Sequence, residues 1–191
     1  MSRLSRDDWA AAALDALSTG GVRAVAVEPL AVRLGTTKGS FYWHFQSRQE
    51  LLEAALALWE RVGTLDVIRE IESGGLTPDK RLRRLFDRAF DPWKPAGADV
   101  VLLGHADEPL VRAAVERVTA KRIAYLARLL RECGVPAPAA RRRAVLVYSS
   151  FIGHVQLMHG APDVVRRSVG SLRRYGDEVL ASLVAPVDTG R

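Results

Sequence analysis

Apolar residues recur at helical spacing along nearly the whole chain, and no convincing strand-like alternation interrupts them. Trp9, Ala13 and Leu17 share one face of a first helix, and Ser5-Arg6-Asp7-Asp8 before it is typical of a capping box. Gly20-Gly21 is a natural end for that helix. Continued along the chain, the pattern predicts about nine helices, three short ones followed by six longer or mixed ones. The fold class is therefore predicted to be all-α.

Two of the short predicted helices, Val27–Leu34 and Thr37–Phe45, are separated by a turn at Gly35 and match a helix-turn-helix. In that motif the second helix presents its outer face to the DNA major groove. Phe41 and Phe45 lie four residues apart and point to the inner face. The residues left for the outer face are Thr37, Lys38, Gly39, Ser40, Tyr42, Trp43 and His44.

Three of these residues, Gly39, Tyr42 and Trp43, have more than one interpretation. Gly39 lowers helix propensity by about 1 kcal/mol relative to alanine, and its missing side chain would let the helix approach a groove closely. Tyr42 and Trp43 could be plain core aromatics, but Phe41 and Phe45 already occupy the inner face. An exposed role is therefore favoured for both.

The segment Leu30-Ala31-Val32-Arg33-Leu34-Gly35-Thr36-Thr37-Lys38-Gly39-Ser40-Phe41-Tyr42-Trp43-His44-Phe45 resembles the DNA-binding core of the tetracycline-repressor (TetR) family of bacterial regulators. The resemblance continues through Ser47, Arg48 and Glu50-Leu51-Leu52, and it covers roughly residues 3–63. One departure is Ala26, where the family usually has a Ser or Thr that caps the second helix. Losing such a cap costs typically ~1 kcal/mol.

The resemblance implies an N-terminal three-helix helix-turn-helix domain and a C-terminal helical bundle that binds a ligand and dimerises. We place the first in residues 1–47 and the second in residues 48–191. By position, Tyr42, His44 and Arg48 are assigned to DNA phosphates. Base edges or nearby backbone are left to Thr37, Lys38, Ser40 and Trp43, which is compatible with the donors these side chains carry.

Charge and composition are compatible with a DNA-binding protein but do not by themselves indicate one. The net charge is +6 and the pI is near 10.0, yet residues 1–49 hold six Lys or Arg against four acids, a mild excess. The single cysteine excludes an internal disulfide framework. No apolar run approaches the ~18 residues that a membrane span needs, and the N-terminus lacks a secretory signal. We expect a cytoplasmic protein.

Motifs for catalysis or metal binding are weak. The sequence has no nucleophile elbow, P-loop or dinucleotide fingerprint. His154 and His159 are five residues apart, not the four that place two ligands on one helix face. His105 with Asp107 and Glu108 is more typical of a helix start. We therefore predict no enzyme, no metal site and no cofactor.

A small-molecule site is harder to dismiss, because pockets with apolar walls and a few polar groups often lie between the helices of a bundle. Each candidate taken singly is more often plain core than a ligand contact, and only the set as a whole suggests a site. The candidates are Trp59, Phe86, Phe90, Trp93, His105, Tyr125, Tyr148 and Phe151.

The sequence as a whole predicts a homodimeric transcriptional regulator, a repressor that binds a palindromic operator on double-stranded DNA and leaves it when an unidentified small-molecule effector binds. Two long helices, residues 138–159 and 162–184, are predicted to form the dimer. Two alternatives stay open: a regulator without a ligand whose C-terminal domain only dimerises, and a helical protein-interaction module. The polar outer face of the second motif helix disfavours the module.

Overall fold

A computed structural model describes residues 4–89 and 97–184, and within these ranges all regular elements are helices. The predicted all-α fold is confirmed. A π-helix, Arg61–Leu65, joins the fourth and fifth α-helices. In chain order the α-helices are α1 (Arg6–Ala24), α2 (Val27–Arg33), α3 (Lys38–Tyr42), α4 (Arg48–Glu60), α5 (Asp66–Glu72), α6 (Pro78–Ala89), α7 (Gly97–Gly104), α8 (Pro109–Glu132), α9 (Ala137–Gly160), α10 (Pro162–Val169) and α11 (Leu172–Val184). In the described part of the chain, no helix combines the length and apolar character that crossing a membrane requires.

The chain divides into two compact units. The first comprises Met1–Leu65 and Ala96–Val118, and the second comprises Asp66–Pro95 and Thr119–Arg191. The helix-turn-helix thus shares its unit with α4, α7 and the start of α8. Our boundary at residue 47 separates the predicted DNA-binding role from the predicted ligand-binding and dimerisation role, and it stays a prediction.

The core of the first unit forms around α1, which packs on α4 and α7. The Ser5 hydroxyl accepts a hydrogen bond from the Asp8 N–H at 3.2 Å, and the Asp8 carboxylate accepts from the Ser5 N–H at 2.7 Å, so the predicted capping box is confirmed. Trp9 is fully buried and meets the ring of Phe41 edge-on, with the centroids 5.5 Å apart. Burying the inner aromatic residues fixes which face of α3 is turned outward.

The second unit carries a polar network at the edge of its core. The guanidinium groups of Arg81 and Arg128 each contact both Glu72 and Glu132, at 2.8–3.2 Å. Tyr125 donates its hydroxyl hydrogen to Glu72 at 2.8 Å. Burial alone would raise the pKa of Glu72, but the hydrogen bonds from Tyr125 and Arg128 and the two positive charges outweigh it and hold that pKa below its ordinary value. The network links α5, α6 and α8.

Because the folded state lowers the pKa of Glu72, its stabilising contribution is fully present above the unfolded pKa of about 4.5 and is lost as pH falls through the folded value. We expect Glu72→Gln to lower the free energy of unfolding by about 1–3 kcal/mol at pH 7. The difference from the parent protein should shrink below pH 4.5. Urea unfolding from pH 7 down to 3.5 measures this.

The matched control is Glu70→Gln on the same helix. Glu70 is 48% exposed and pairs with Arg84 at 3.2 Å, so we expect a cost below about 1 kcal/mol. If Glu72→Gln kept its full destabilisation at pH 3.5, the assigned pKa direction would be wrong.

The last two helices differ in part from the prediction. The helix predicted over residues 138–159 is present as α9, but a single helix over 162–184 is wrong, because the chain breaks at Gly170 into α10 and α11. The Ser171 hydroxyl accepts from the Arg174 N–H at 3.4 Å, which is how a serine starts a new helix. Both α10 and α11 pack on α9.

Candidate DNA-binding surface

α2 and α3 form the helix-turn-helix that the sequence predicts, and the turn between them is a complete C-terminal capping motif. The Gly35 N–H donates to the Val32 carbonyl at 3.0 Å, and the Thr36 N–H donates to the Ala31 carbonyl at 2.9 Å. This pair of bonds is the Schellman motif, which requires a left-handed residue after the helix. Gly35 supplies it with φ of 64°. The turn fixes where α3 begins.

α3 is shorter than predicted. Regular helix covers Lys38–Tyr42 only, and Trp43 and His44 lie in a turn where the N–H groups of His44 and Phe45 both donate to the Phe41 carbonyl. Thr37 occupies the N-cap position, but its side chain makes no capping bond. The bond from the His44 N–H to the Phe41 carbonyl spans three residues, so regular α-helix ends at Tyr42, which the apolar period alone does not show.

The outer face of α3 is exposed as predicted. Trp43 is 80% exposed and Tyr42 is 59% exposed, whereas Phe41 and Phe45 are at most 2% exposed. The alternative that Tyr42 and Trp43 are core aromatics is wrong. The other predicted residues are exposed or partly exposed: Thr37, Lys38, Gly39, Ser40 and His44. Two neighbouring aromatic side chains that are exposed to solvent beside polar donors are typical of an interaction surface.

Gly39 is not required by packing inside the protein. A Cβ added there would meet only the Thr37 hydroxyl oxygen, at 3.5 Å, which is ordinary contact. The fold therefore leaves open space over this turn of α3, in keeping with close approach by a partner.

Lys38 has a partner that we did not predict. Its ammonium lies 2.7 Å from the carboxylate of Glu28, in the first turn of α2. The hydrogen bond and the charge of Glu28 raise the pKa of Lys38, with a smaller contribution from Tyr42, and the same pair lowers the pKa of Glu28. The only sequence signal for this pair was its opposite charges, ten residues apart.

Arg48 has a structural role besides the phosphate contact predicted for it. Its Nε donates to the Val25 carbonyl at 2.6 Å, and a second guanidinium nitrogen donates to the Val22 carbonyl. Arg48 thus holds the segment between α1 and α2. The phosphate contact stays a prediction, and substituting Arg48 would disturb the fold whether or not Arg48 contacts DNA.

Ser47 and Glu50, which the sequence predicts as a capping box, hold the turn between α3 and α4. Ser47 caps α4 by accepting from the Glu50 N–H at 3.1 Å, while the Glu50 carboxylate accepts from the Gln46 N–H at 2.8 Å, one residue before the position a capping box uses. The same carboxylate pairs with Arg6 at 2.7 Å, and the Arg6 guanidinium lies 4.6 Å from the centre of the Phe45 ring. The start of α1 therefore fixes the end of the motif.

The predicted ligand-binding residues are not brought together. Trp59 and His105 belong to the first unit, and Phe90 and Trp93 lie outside the described residues. Trp59, like Phe86 in the second unit, is buried in a core. His105 is only partly buried, and its Nδ1 lies 2.8 Å from the Val101 carbonyl oxygen. A single site built from all eight is therefore not seen among the described residues.

The three remaining candidates serve the second unit. Tyr125 is 6% exposed and donates to Glu72, so it belongs to the polar network. Tyr148 and Phe151 are partly buried and stack with centroids 6.3 Å apart, and the Tyr148 hydroxyl lies 3.5 Å from that of Thr119. Sequence periodicity cannot separate such core and network roles from ligand contacts.

A groove of about 430 Å³ does exist in the second unit, with a different lining. It is lined by Pro78, Asp79, Leu82, Glu132, Cys133 and Leu180. Burial raises the pKa of the Cys133 thiol, helped by the charges of Asp79 and Glu132. Within the described ranges, no three His, Cys, Asp or Glu side chains come together as a metal site would need.

The fold and the exposed face of α3 define the class: a helical protein with a helix-turn-helix, the motif whose second helix enters the major groove in DNA-binding proteins. Residues 10–55 match the family of bacterial regulatory proteins called tetR. The chain is 32% identical over 105 residues to the uncharacterized HTH-type transcriptional regulator TtgW of Pseudomonas putida, an alignment that covers 51% of this chain and 72% of TtgW. The chain belongs to the tetR family, and as a transcriptional regulator it is not an enzyme.

Two further comparisons concern a second curated regulator and a solved structure that shares the fold. The HTH-type transcriptional regulator SrpR of Pseudomonas putida is 25% identical over 129 residues, covering 63% of this chain and 56% of SrpR. The chain thus spans just over half the length of SrpR. A protein from Saccharomonospora viridis, described as a transcriptional regulator and solved in complex with choline, shares the fold with a TM-score of 0.74 at 16% identity, covering 91% of this chain and 93% of that one.

Proposed function

We propose that this regulator is a dimeric repressor that binds a palindromic operator through α3 and releases it when a small-molecule effector binds the second unit. The observation that carries the proposal is the outer face of α3, where Tyr42, Trp43 and Lys38 stand exposed while Phe41 is 1% exposed. A helix that is buried on one side and exposes aromatic and cationic groups on the other is suited to a major groove. A repressor working on the chromosome would act in the cytoplasm.

The contacts divide into two kinds. Thr37, Lys38, Ser40 and Trp43 are proposed to face base edges or nearby backbone, since lysine donates to guanine and hydroxyl groups can contact any base. Phosphate contacts, which position the protein without reading sequence, are proposed for Tyr42, His44 and Arg48.

The proposed dimer rests on the outer face of α9. Leu146 is 63% exposed and Leu157 is 57% exposed, and at a spacing of eleven residues they lie on the same side of the helix. Gly153 lies between them, and a Cβ there would meet nothing within 4 Å. A second copy of α9 could approach closely along this face. The resulting two-fold axis would place half-sites about 34–36 Å apart, or a multiple of that.

The effector is supported by two observations. The Saccharomonospora viridis relative holds choline, and the groove beside Cys133, at about 430 Å³, is within the size range of small-ligand sites. If the protein had no effector, it would be a regulator whose second unit only dimerises. Native mass spectrometry of the protein after purification from cells, with and without denaturation, separates these outcomes by showing whether a small molecule travels with the dimer.

The DNA-binding role is tested on the duplex that the protein itself selects from a random pool. We expect Lys38→Ala to weaken binding to that duplex by roughly 1–3 kcal/mol and to relax base preference at one position per half-site. Trp43→Ala should also weaken binding, because it removes an exposed aromatic contact without disturbing the core. Fluorescence anisotropy against selected and scrambled duplexes measures both.

The control for this experiment is Val62→Ala, which alters an exposed apolar residue of the same unit away from α3; Val62 is 50% exposed. Its DNA affinity should match that of the parent protein. If neither Lys38→Ala nor Trp43→Ala changed affinity, α3 would not be the helix that contacts DNA.

A further inference from the structure

We propose that Glu28 determines sequence specificity by acting through Lys38. Its carboxylate orients the Lys38 ammonium toward a base edge and keeps that ammonium from contacting DNA phosphates. The proposal rests on the proposed function, and it adds a positioning residue on α2, outside the recognition helix.

Glu28 lies in the first turn of α2, where an acid stabilises the start of the helix by about 0.3–1 kcal/mol. Its carboxylate lies 2.7 Å from the Lys38 ammonium, and the two side chains are 72% and 52% exposed. Ion pairs this exposed contribute about 0–1 kcal/mol to stability. Neither small contribution requires the contact with Lys38, and a carboxylate beside a DNA-reading helix repels phosphates, so the contact is assigned a role in binding.

The donor count of the ammonium supplies that role. A lysine ammonium has three N–H donors, and Glu28 accepts from one of them. The two that remain match the O6 and N7 acceptors that guanine presents in the major groove. Glu28 therefore leaves Lys38 able to recognise a base while fixing the direction in which it does so.

Charge makes the same pair a poor ligand for phosphate. A free lysine is a point charge on a flexible four-carbon stem and can swing to the nearest phosphate. The pair of Lys38 and Glu28 carries almost no net charge, so its attraction to the phosphates of any DNA sequence is weakened. The pair thus disfavours binding to non-operator DNA more than binding to the operator.

The same unit offers a matched pair for comparison. Arg33 pairs with Asp15, and their side chains are 52% and 55% exposed, but the pair joins α1 to α2 and does not include α3. Asp15→Asn therefore removes one exposed negative charge and releases one cation, as Glu28→Gln does, without touching Lys38.

The experiment first selects duplexes from a random pool with each of five proteins: the parent protein, Glu28→Gln, Lys38→Ala, Asp15→Asn and the double variant of Glu28 and Lys38. The affinity of each protein for the selected and scrambled duplexes is then measured at several salt concentrations. Glu28→Gln is expected to relax the same half-site position as Lys38→Ala. The ratio of operator to non-operator affinity should fall roughly five- to tenfold. The salt slope on scrambled DNA should steepen by about one unit per protomer.

The control and double variants complete the expectation. Asp15→Asn should leave the selected sequence unchanged and raise affinity for both duplexes alike. The double variant should show the base preference of Lys38→Ala, with somewhat higher affinity for both duplexes because the Glu28 charge is gone. Thermal unfolding should be nearly the same for Glu28→Gln as for the parent protein, because the pair is exposed.

Three results would overturn the proposal. If Glu28→Gln kept the base preference of the parent protein and gained affinity equally for both duplexes, Glu28 would act only by repelling phosphates. A change at a position other than that of Lys38 would mean that Glu28 contacts a base itself. If the parent protein selected no sequence, the proposed function would fail first, and the proposal with it.

Discussion

Replacing Gly21 by alanine is expected to lower the free energy of unfolding by about 2–5 kcal/mol. Gly21 interrupts α1 with φ of 68° and ψ of −167°, a backbone region that is essentially confined to glycine. A Cβ at this position would also overlap the imidazole ring of His105. Backbone strain and overpacking therefore act together at the entry to the helix-turn-helix. Urea unfolding followed by circular dichroism measures the effect.

Two comparisons separate the backbone cost from the clash. Gly35 also has a positive φ of 64°, but a Cβ there would meet nothing within 4 Å, so Gly35→Ala should cost only the backbone share, about 1–2 kcal/mol. In a double-mutant cycle, His105→Ala should recover most of the excess cost of Gly21→Ala. Equal costs for the two glycine variants would show that the His105 ring moves aside freely.

The helix-turn-helix could be predicted because its information is local. The 3.6-residue period, the Ser5 capping box and the glycine of the turn each act within a few residues. The exposure of Tyr42 and Trp43 followed from the same period, since Phe41 and Phe45 had to face inward.

Side-chain partners could not be predicted, because they depend on how elements meet. Lys38 was assigned to DNA from its place on the outer face, but its pairing with Glu28 arises only when α2 and α3 are packed. Arg48 looked like a phosphate ligand by position, yet two of its donors bind the carbonyls of Val22 and Val25. Sequence period says which face a residue is on and nothing about which atoms it meets there.

The second unit was harder for two reasons. An aromatic residue on an amphipathic helix has the same spacing whether it fills a core or contacts a ligand, so Tyr125 was assigned to a ligand although it donates to Glu72. The break at Gly170 was marked by the Gly-Ser pair, but apolar residues continue in phase across it. The period therefore outweighed the local signal and produced one long helix in place of two.

Leu157→Glu is expected to convert the proposed homodimer into monomers and to lower operator affinity by more than about 100-fold. The two-fold axis would bring two new carboxylates into the contact formed by the α9 helices, where they would be desolvated without a cation partner, at a cost of several kcal/mol. Each monomer would then bind a single half-site and lose the gain in effective concentration that joining two sites supplies. Light scattering at micromolar concentration and anisotropy on the selected duplex measure the two effects.

The control is Val62→Glu, which places the same charge on a residue of the first unit that is 50% exposed; it should leave the mass unchanged, and its added charge should lower DNA affinity far less than loss of the dimer does. Because Leu157 is 57% exposed in the single chain, its substitution should not unfold the monomer, and circular dichroism checks this. A Leu157→Glu protein that remained dimeric with full operator affinity would exclude this face of α9 as the interface. A parent protein that was monomeric without DNA would contradict the proposed homodimer itself, because a two-fold operator would then have no two-fold partner in solution.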